Sequence, residues 1–292
     1  CSSDLDSDNI FARYTLLNST ENRNADGDGF PGDLVKDRVR NQYSTFEWTR
    51  IVNPSILNTF RLGYNRNAPF NKTNQQPISP SLYFVPASGQ LGDLAVTGVT
   101  GVGEGVTGEY RVLNSYQLID DVNWTKGRNT MKFGFNLNHI RFNGWNPARD
   151  AANYAFNSIP NFFNAVVQRF RGAVAPGFND AYRSFRQSII AMYFQDDLRL
   201  TPRLTLNLGL RYEFITVPTE VYGRVANFKG DVDFMRTRQT VGVLGLTTGN
   251  PWFDNPSLKN FAPRVGFAWD ATGDSHTVLR GGAGLFFMNF DQ

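Results

Sequence analysis

The chain has 292 residues, of which 41% are hydrophobic, 14% aromatic and 19% charged, with 27 glycines, 14 prolines and a single cysteine. Such aromatic richness excludes a disordered chain, and one cysteine excludes an intrachain disulfide framework or a zinc site built on several thiolates. Its 29 basic and 26 acidic residues give a formal charge of +3, but the cations are scattered, so no nucleic-acid partner is expected.

No stretch approaches the roughly 18 consecutive apolar residues of a transmembrane helix. Residues 1–5, CSSDL, read like a translated sequencing adapter and are expected to be a non-native leader, with no role for Cys1. Strands are expected at 10–17, 43–52, 56–66, 115–124, 131–138, 188–200, 204–214, 261–270 and 277–289, about nine in all. The clearest pattern runs from Leu204 to Phe214. There Leu204, Leu206, Leu208, Leu210, Tyr212 and Phe214 alternate with Thr205, Asn207, Gly209, Arg211 and Glu213. Strict alternation over such a length marks a strand with one apolar and one polar face. Met131, Phe133, Phe135 and Leu137 alternate in the same way with Lys132, Gly134, Asn136 and Asn138.

The connections alternate too. Short turns are expected at Asn53-Pro54-Ser55, Lys126 to Asn129, Thr201-Pro202-Arg203 and Thr272 to Ser275, and long loops at about 18–41, 67–110, 143–186 and 217–260. Long loops are rare inside compact soluble domains. Short turns at one end and long loops at the other, joined by strands of 9 to 11 residues or more, are instead the plan of an outer-membrane barrel. Trp48, Trp124, Tyr212, Phe214, Trp269, Phe286 and Phe287 lie near strand ends, as interfacial girdles require. Within one loop, Ile159 to Arg171 carries apolar residues at helical spacing, with Pro160 near its start and Gly172 after its end. A helix at the barrel mouth is expected there.

Candidate chemistry is sparse. Asn24, Asp26 and Asp28, followed by Gly29, match half of a calcium loop, but Val35 stands where a bidentate glutamate is needed. A weak calcium site and a solvated Asp/Gly loop are both open readings, and no other cofactor is expected. The Gly-rich 98–108 stretch lacks the strand and helix of a phosphate cradle. His139 and His276 stand apart, and Asp196 and Asp197, as strand neighbours, point to opposite faces. No enzyme activity is expected. Extending the alternation strand by strand turns Arg61, Asp121, Lys132, Asp197, Arg199, Arg211, Glu213, Arg264 and Arg280 toward the lumen. There they would contact a substrate or an enclosed domain, or form cross-strand ion pairs lining the wall.

Four segments carry a family resemblance: NPSILNTFRLGYNR (53–66), NWTKGRNTMKFGFNLN (123–138), FRQSIIAMYFQDDLRLTPRLTLNLGLRYEF (185–214) and NFAPRVGFAWDATGDSHTVLRGGAGLFF (260–287). They resemble the barrel of TonB-dependent outer-membrane receptors, in particular the Oar-like subgroup with its carboxypeptidase-regulatory-like domain. The resemblance implies an all-β antiparallel transmembrane β-barrel of 22 strands around an N-terminal plug, of which residues 6–292 are an interior part without the plug, the TonB box or the regulatory-like domain. It further implies outer-membrane lipid and the TonB system as partners and energy-coupled import of an unidentified large or scarce substrate. The competing expectation is a surface-exposed adhesin or β-structured binding module without transport.

Overall fold

A computed structural model describes residues 2–5, 7–24, 34–74, 79–88, 91–103, 108–145, 151–172, 182–228, 246–251, 258–274 and 276–287. The strands in chain order are β1 (Ser2–Leu5), β2 (Asp8–Asn24), β3 (Leu34–Asn53), β4 (Ile56–Asn67), β5 (Pro69–Asn74), β6 (Asp93–Val96), β7 (Glu109–Lys126), β8 (Asn129–Trp145) and β9 (Asn153–Phe156). Then come the short helix α1 (Ile159–Phe163), β10 (Arg169–Arg171), β11 (Tyr182–Thr201), β12 (Leu204–Ile215), β13 (Thr219–Glu220), β14 (Ala226–Phe228), β15 (Leu246–Thr248), β16 (Phe261–Asp270) and β17 (Val278–Gly284).

One antiparallel sheet dominates, in the order β1-β2-β3-β4-β7-β8-β11-β12-β16-β17; β5 continues the line of β4 between β3 and β7, and β13 continues the line of β12 along β11. Each strand is followed along this path by the next long strand of the chain. The tight turns β3–β4, β7–β8 and β11–β12 and the short β16–β17 connection therefore share one end, and the long connections share the other. All nine strands expected from the alternation are present.

The sheet is a wall one layer thick. Among the described residues, extensive contact between elements runs along paired strands, or between α1 and β9. Its apolar side chains consequently stay open on one face: Met192 is 51% exposed, Leu210 45%, Val265 54% and Phe267 43%. In a soluble sandwich these would be packed against a second sheet at about 10 Å. Phe60, Asp120, Phe135, Met192 and Tyr212 share one rung of this face through direct pairing, with Leu118 two residues along from Asp120, and the alternating residues form the polar face.

Three expectations need correction. Residues 18–24 and 34–41, expected as loop, extend β2 and β3; likewise β7, β8 and β11 run past 115, 138 and 188. Hydropathy stops alternating where both faces are polar, but backbone pairing continues, so the strand outlasts its sequence signal. The expected strand 277–289 is narrower, Val278–Gly284, with 288 and 289 outside the described residues. The expected helix of 159–171 is helical only over Ile159–Phe163. Ser158 caps it by accepting from the Asn161 N–H, and Ala165, with φ of 53°, ends it. Phe170 then pairs with Tyr154 in a strand instead of continuing the helical face.

The two loops that flank the β7–β8 hairpin are built around a sheet of their own. β6, from one, pairs in parallel with β9, from the other, and β10 pairs with β9 on its far side. Leu91, Val96, Ala151, Ala152, Ala155 and Phe156 are buried here. Tyr154 contacts Phe84 and Phe170, while Phe156 meets Phe162 edge-on at 5.3 Å between centroids. Ser2–Leu5 pairs with Asp8–Phe11 as β1, and Cys1 lies outside the described residues.

Candidate functional site

Strand pairing brings all nine of the expected lumen-facing residues onto one face. Opposite residues share a face in an antiparallel ladder. Glu47 faces Arg61, Asp121 faces Gly134, Gly134 faces Tyr193, and Tyr193 faces Arg211; Lys132, Asp197, Arg199, Glu213, Arg264 and Arg280 follow at steps of two.

Two clusters form on this polar face. The first draws side chains from four strands and spans five. Arg61 donates from Nε to Glu47 at 2.6 Å and from Nη1 to Asp121 at 3.0 Å, and the Tyr193 hydroxyl donates to Asp121 at 2.8 Å. Tyr193 reaches Asp121 from β11 by lying across Gly134 of β8. A Cβ at Gly134 would sit 1.9 Å from the tyrosine Cε1, so glycine is required by the close approach. These groups satisfy one another, which makes this cluster a brace between strands.

The second cluster is a depression of about 380 Å³ whose lining includes Lys132, Tyr193, Gln195, Gly209, Arg211 and Arg264. Lys132, Gln195, Gly209 and Arg264 stand on a single rung across β8, β11, β12 and β16. Gly209 has no side chain, so the wall is thinned between two cations about three strand spacings, roughly 14 Å, apart. Arg211 is held by Glu213 of the same strand at 2.5 Å, while among the described residues Lys132 and Arg264 form no ion pair. Arg264 instead lies 4.7 Å from the Phe286 ring centre. Two cations without carboxylate partners beside a phenol and a carboxamide suit an anionic group carrying hydrogen-bond acceptors.

The remaining expected residues lie elsewhere. Asp197 accepts from Asn207 at 2.7 Å, and Arg199 and Arg280 join neither cluster. Asp26 and Asp28 lie outside the described residues, as does Gly29, and Asn24 ends β2. As expected, Asp196 takes the opposite face from Asp197; it is 8% exposed on the apolar face, and its Oδ1 has no hydrogen-bond partner among the described residues.

Tyr193, Gln195 and Gly209 escape a reading that weighs charge alone, and the charged Glu47 was not among the expected residues, although their odd positions put all four on the polar face. Glu220 gave no signal at all. Its fully buried carboxylate accepts from the backbone N–H groups of Ser184, Tyr222 and Arg224 at 2.9, 2.8 and 2.7 Å, pinning the loop after β12 to β11.

A family model described as "Outer membrane beta barrel domain" matches residues 5–292. No curated protein matches the chain. Among solved structures, the crystal structure of the outer membrane transporter YddB from Escherichia coli is similar at a TM-score of 0.45 and 9% identity. That similarity covers 91% of this chain and 36% of the other, so the chain spans about a third of that structure's length.

Proposed function

The chain belongs to the outer membrane β-barrel domain family, and from that premise we propose that it forms part of the wall of a TonB-dependent, Oar-like receptor that imports an anionic substrate. Its place is the bacterial outer membrane, with the apolar face against lipid and the polar face inward. Only closed barrels satisfy every strand edge in lipid, so the remaining strands of a 22-stranded barrel and an N-terminal plug complete the machine in this reading. No catalytic step is assigned.

The observation that carries the proposal is the rung Lys132–Gln195–Gly209–Arg264 on the inner face. Structural lining would neutralise its cations across strands, as Arg61 does with Glu47 and Asp121. Lys132 and Arg264, which form no ion pair among the described residues, favour a passing or docking anion. The Arg61 brace then serves to keep β3, β4, β7 and β11 in register around it.

The test is energy-dependent uptake by the complete protein in cells with and without a functional TonB system, comparing wild type with a Lys132→Gln/Arg264→Gln variant. Loss of uptake in both the TonB-deficient cells and the variant supports the reading. A ligand that binds cells but never enters them favours the adhesin reading, for which the folded sheet of β6, β9 and β10 would supply the binding surface.

A further inference from the structure

The apolar face is not apolar throughout. Toward the long-loop end it carries Lys36, Arg38 and Arg40 on β3, Arg66 on β4, Arg141 on β8 and Arg186 on β11. Arg66, Asn114, Arg141 and Arg186 occupy one rung, so three arginines fall in line across four strands. At this level the outward positions of these strands and of β2, β5 and β7 hold no aspartate or glutamate. The carboxylates of the same region, Glu21, Asp37 and Glu109, occupy inward positions. At the short-turn end the outward face carries acids and cations together: Asp8, Asp120 and Asp196 with Arg50 and Lys126, and Arg50 lies 3.9 Å from Asp8. Outward cations without outward carboxylates beside them are thus a feature of the long-loop end of this face.

The band contains a shaped site. A cleft of about 660 Å³ is lined by Arg38, Arg40 and Arg66 together with Phe70, Tyr110 and Val112. Arg38 stacks 5.5 Å over the Phe70 ring and Arg66 donates to the neutral Asn114 Oδ1 at 2.9 Å. Among the described residues, none of the three arginines is in an ion pair. Arginines beside an apolar wall, at the height where headgroups begin, match a ligand with phosphates at one end and hydrocarbon at the other.

We propose that this cleft binds the phosphate groups of a multiply acylated anionic glycolipid of the outer leaflet. Arg38, Arg40 and Arg66 hold the phosphates, and Phe70, Tyr110 and Val112 lie along the sugar and the first methylenes of its chains. The assignment depends on the apolar face meeting lipid and is independent of transport, so it stands or falls separately from the import reading.

The test is native mass spectrometry of the complete protein in detergent, titrated with bisphosphorylated hexa-acyl lipid A and with the same lipid dephosphorylated. The phosphorylated lipid is expected to bind about tenfold more tightly or better. The Arg38→Gln/Arg40→Gln/Arg66→Gln variant should lose that preference and keep its weak binding of the dephosphorylated lipid, while Lys132→Gln/Arg264→Gln on the inner face binds as wild type. Should the triple variant fail to fold, wild type still decides: raising NaCl from about 50 to about 500 mM should weaken only the phosphorylated lipid. Equal affinity for the two lipids, an unaffected triple variant, or an indifference to salt overturns the proposal. So does full displacement by about 10 mM inorganic phosphate, which would show a free-anion site at ordinary phosphate affinities.

Discussion

Replacing Leu210 with arginine, in the complete protein, probes the single-layer wall where it is most committed. Leu210 is 45% exposed on the apolar face of β12, between Phe194 and Pro263 in the ladder. It lies seven residues beyond the turn residue Arg203. At about 3.4 Å per residue and a tilt near 40° this is roughly 18 Å above the turn, near the middle of an apolar band about 25 Å tall. An arginine there should cost about 2–4 kcal/mol. Leu208→Arg should cost clearly less, because Asp196 stands directly opposite on the same face with one oxygen unpartnered. Asn207→Arg, on the polar face beside Asp197, should be near neutral. Urea-dependent folding into phospholipid vesicles, followed by tryptophan fluorescence, orders the three variants. Equal costs at 207 and 210 would refute the assignment of faces, and a larger cost at 208 than at 210 would refute the compensation by Asp196.

Other outcomes follow from particular contacts. Gly134→Ala should displace the Tyr193 ring and break its bond to Asp121, costing about 1–3 kcal/mol in the same assay. Most of that cost should vanish when Tyr193→Ala is already present, since the clash and the bond then no longer exist. Glu220→Ala leaves three buried backbone donors without their acceptor and should expose 216–225 to limited proteolysis while barrel folding persists. In the β16–β17 connection, hydrogen bonds from the Thr272 hydroxyl and the His276 N–H hold the Asp274 carboxyl below its usual range. The lowered pKa means that the turn gains from ionised Asp274 above the unfolded carboxylate range and loses this as pH falls through the folded value. Carboxyl NMR of wild type and the disappearance of the effect in Asp274→Asn check the sign.

How much of this was legible in the sequence depended on where hydropathy and backbone pairing agree. Inside the lipid layer one face must be apolar and the other need not be, so β12 and β8 announce themselves by alternation. The sorting of Arg61, Asp121, Lys132, Arg211 and Arg264 to one face followed from parity alone. Above the layer that constraint lapses. Residues 34–41 pair as a strand with Lys36, Arg38 and Arg40 outward and Asp37 inward, residues 182–187 pair with Arg186 outward and Arg183 inward, and no two-letter pattern separates either from loop. The helical spacing of 159–171 misled because Phe162 and Phe170 are recruited by different partners, Phe156 and Tyr154, once a parallel pairing joins two loops distant in sequence. The depression at Gly209 was equally hidden: it needs four strands in register, and its key residue contributes an absence of side chain.

The central claim is best tested by spin-label scanning of residues 204–214 in the complete protein, reconstituted in lipid with Cys1 replaced. Collision with oxygen should peak at Leu206, Leu208, Leu210 and Tyr212, and collision with a water-soluble nickel complex at Thr205, Asn207, Gly209 and Arg211. An oxygen profile without a period of two, or burial of the even positions from both reagents, would contradict a wall with lipid on one side and water on the other.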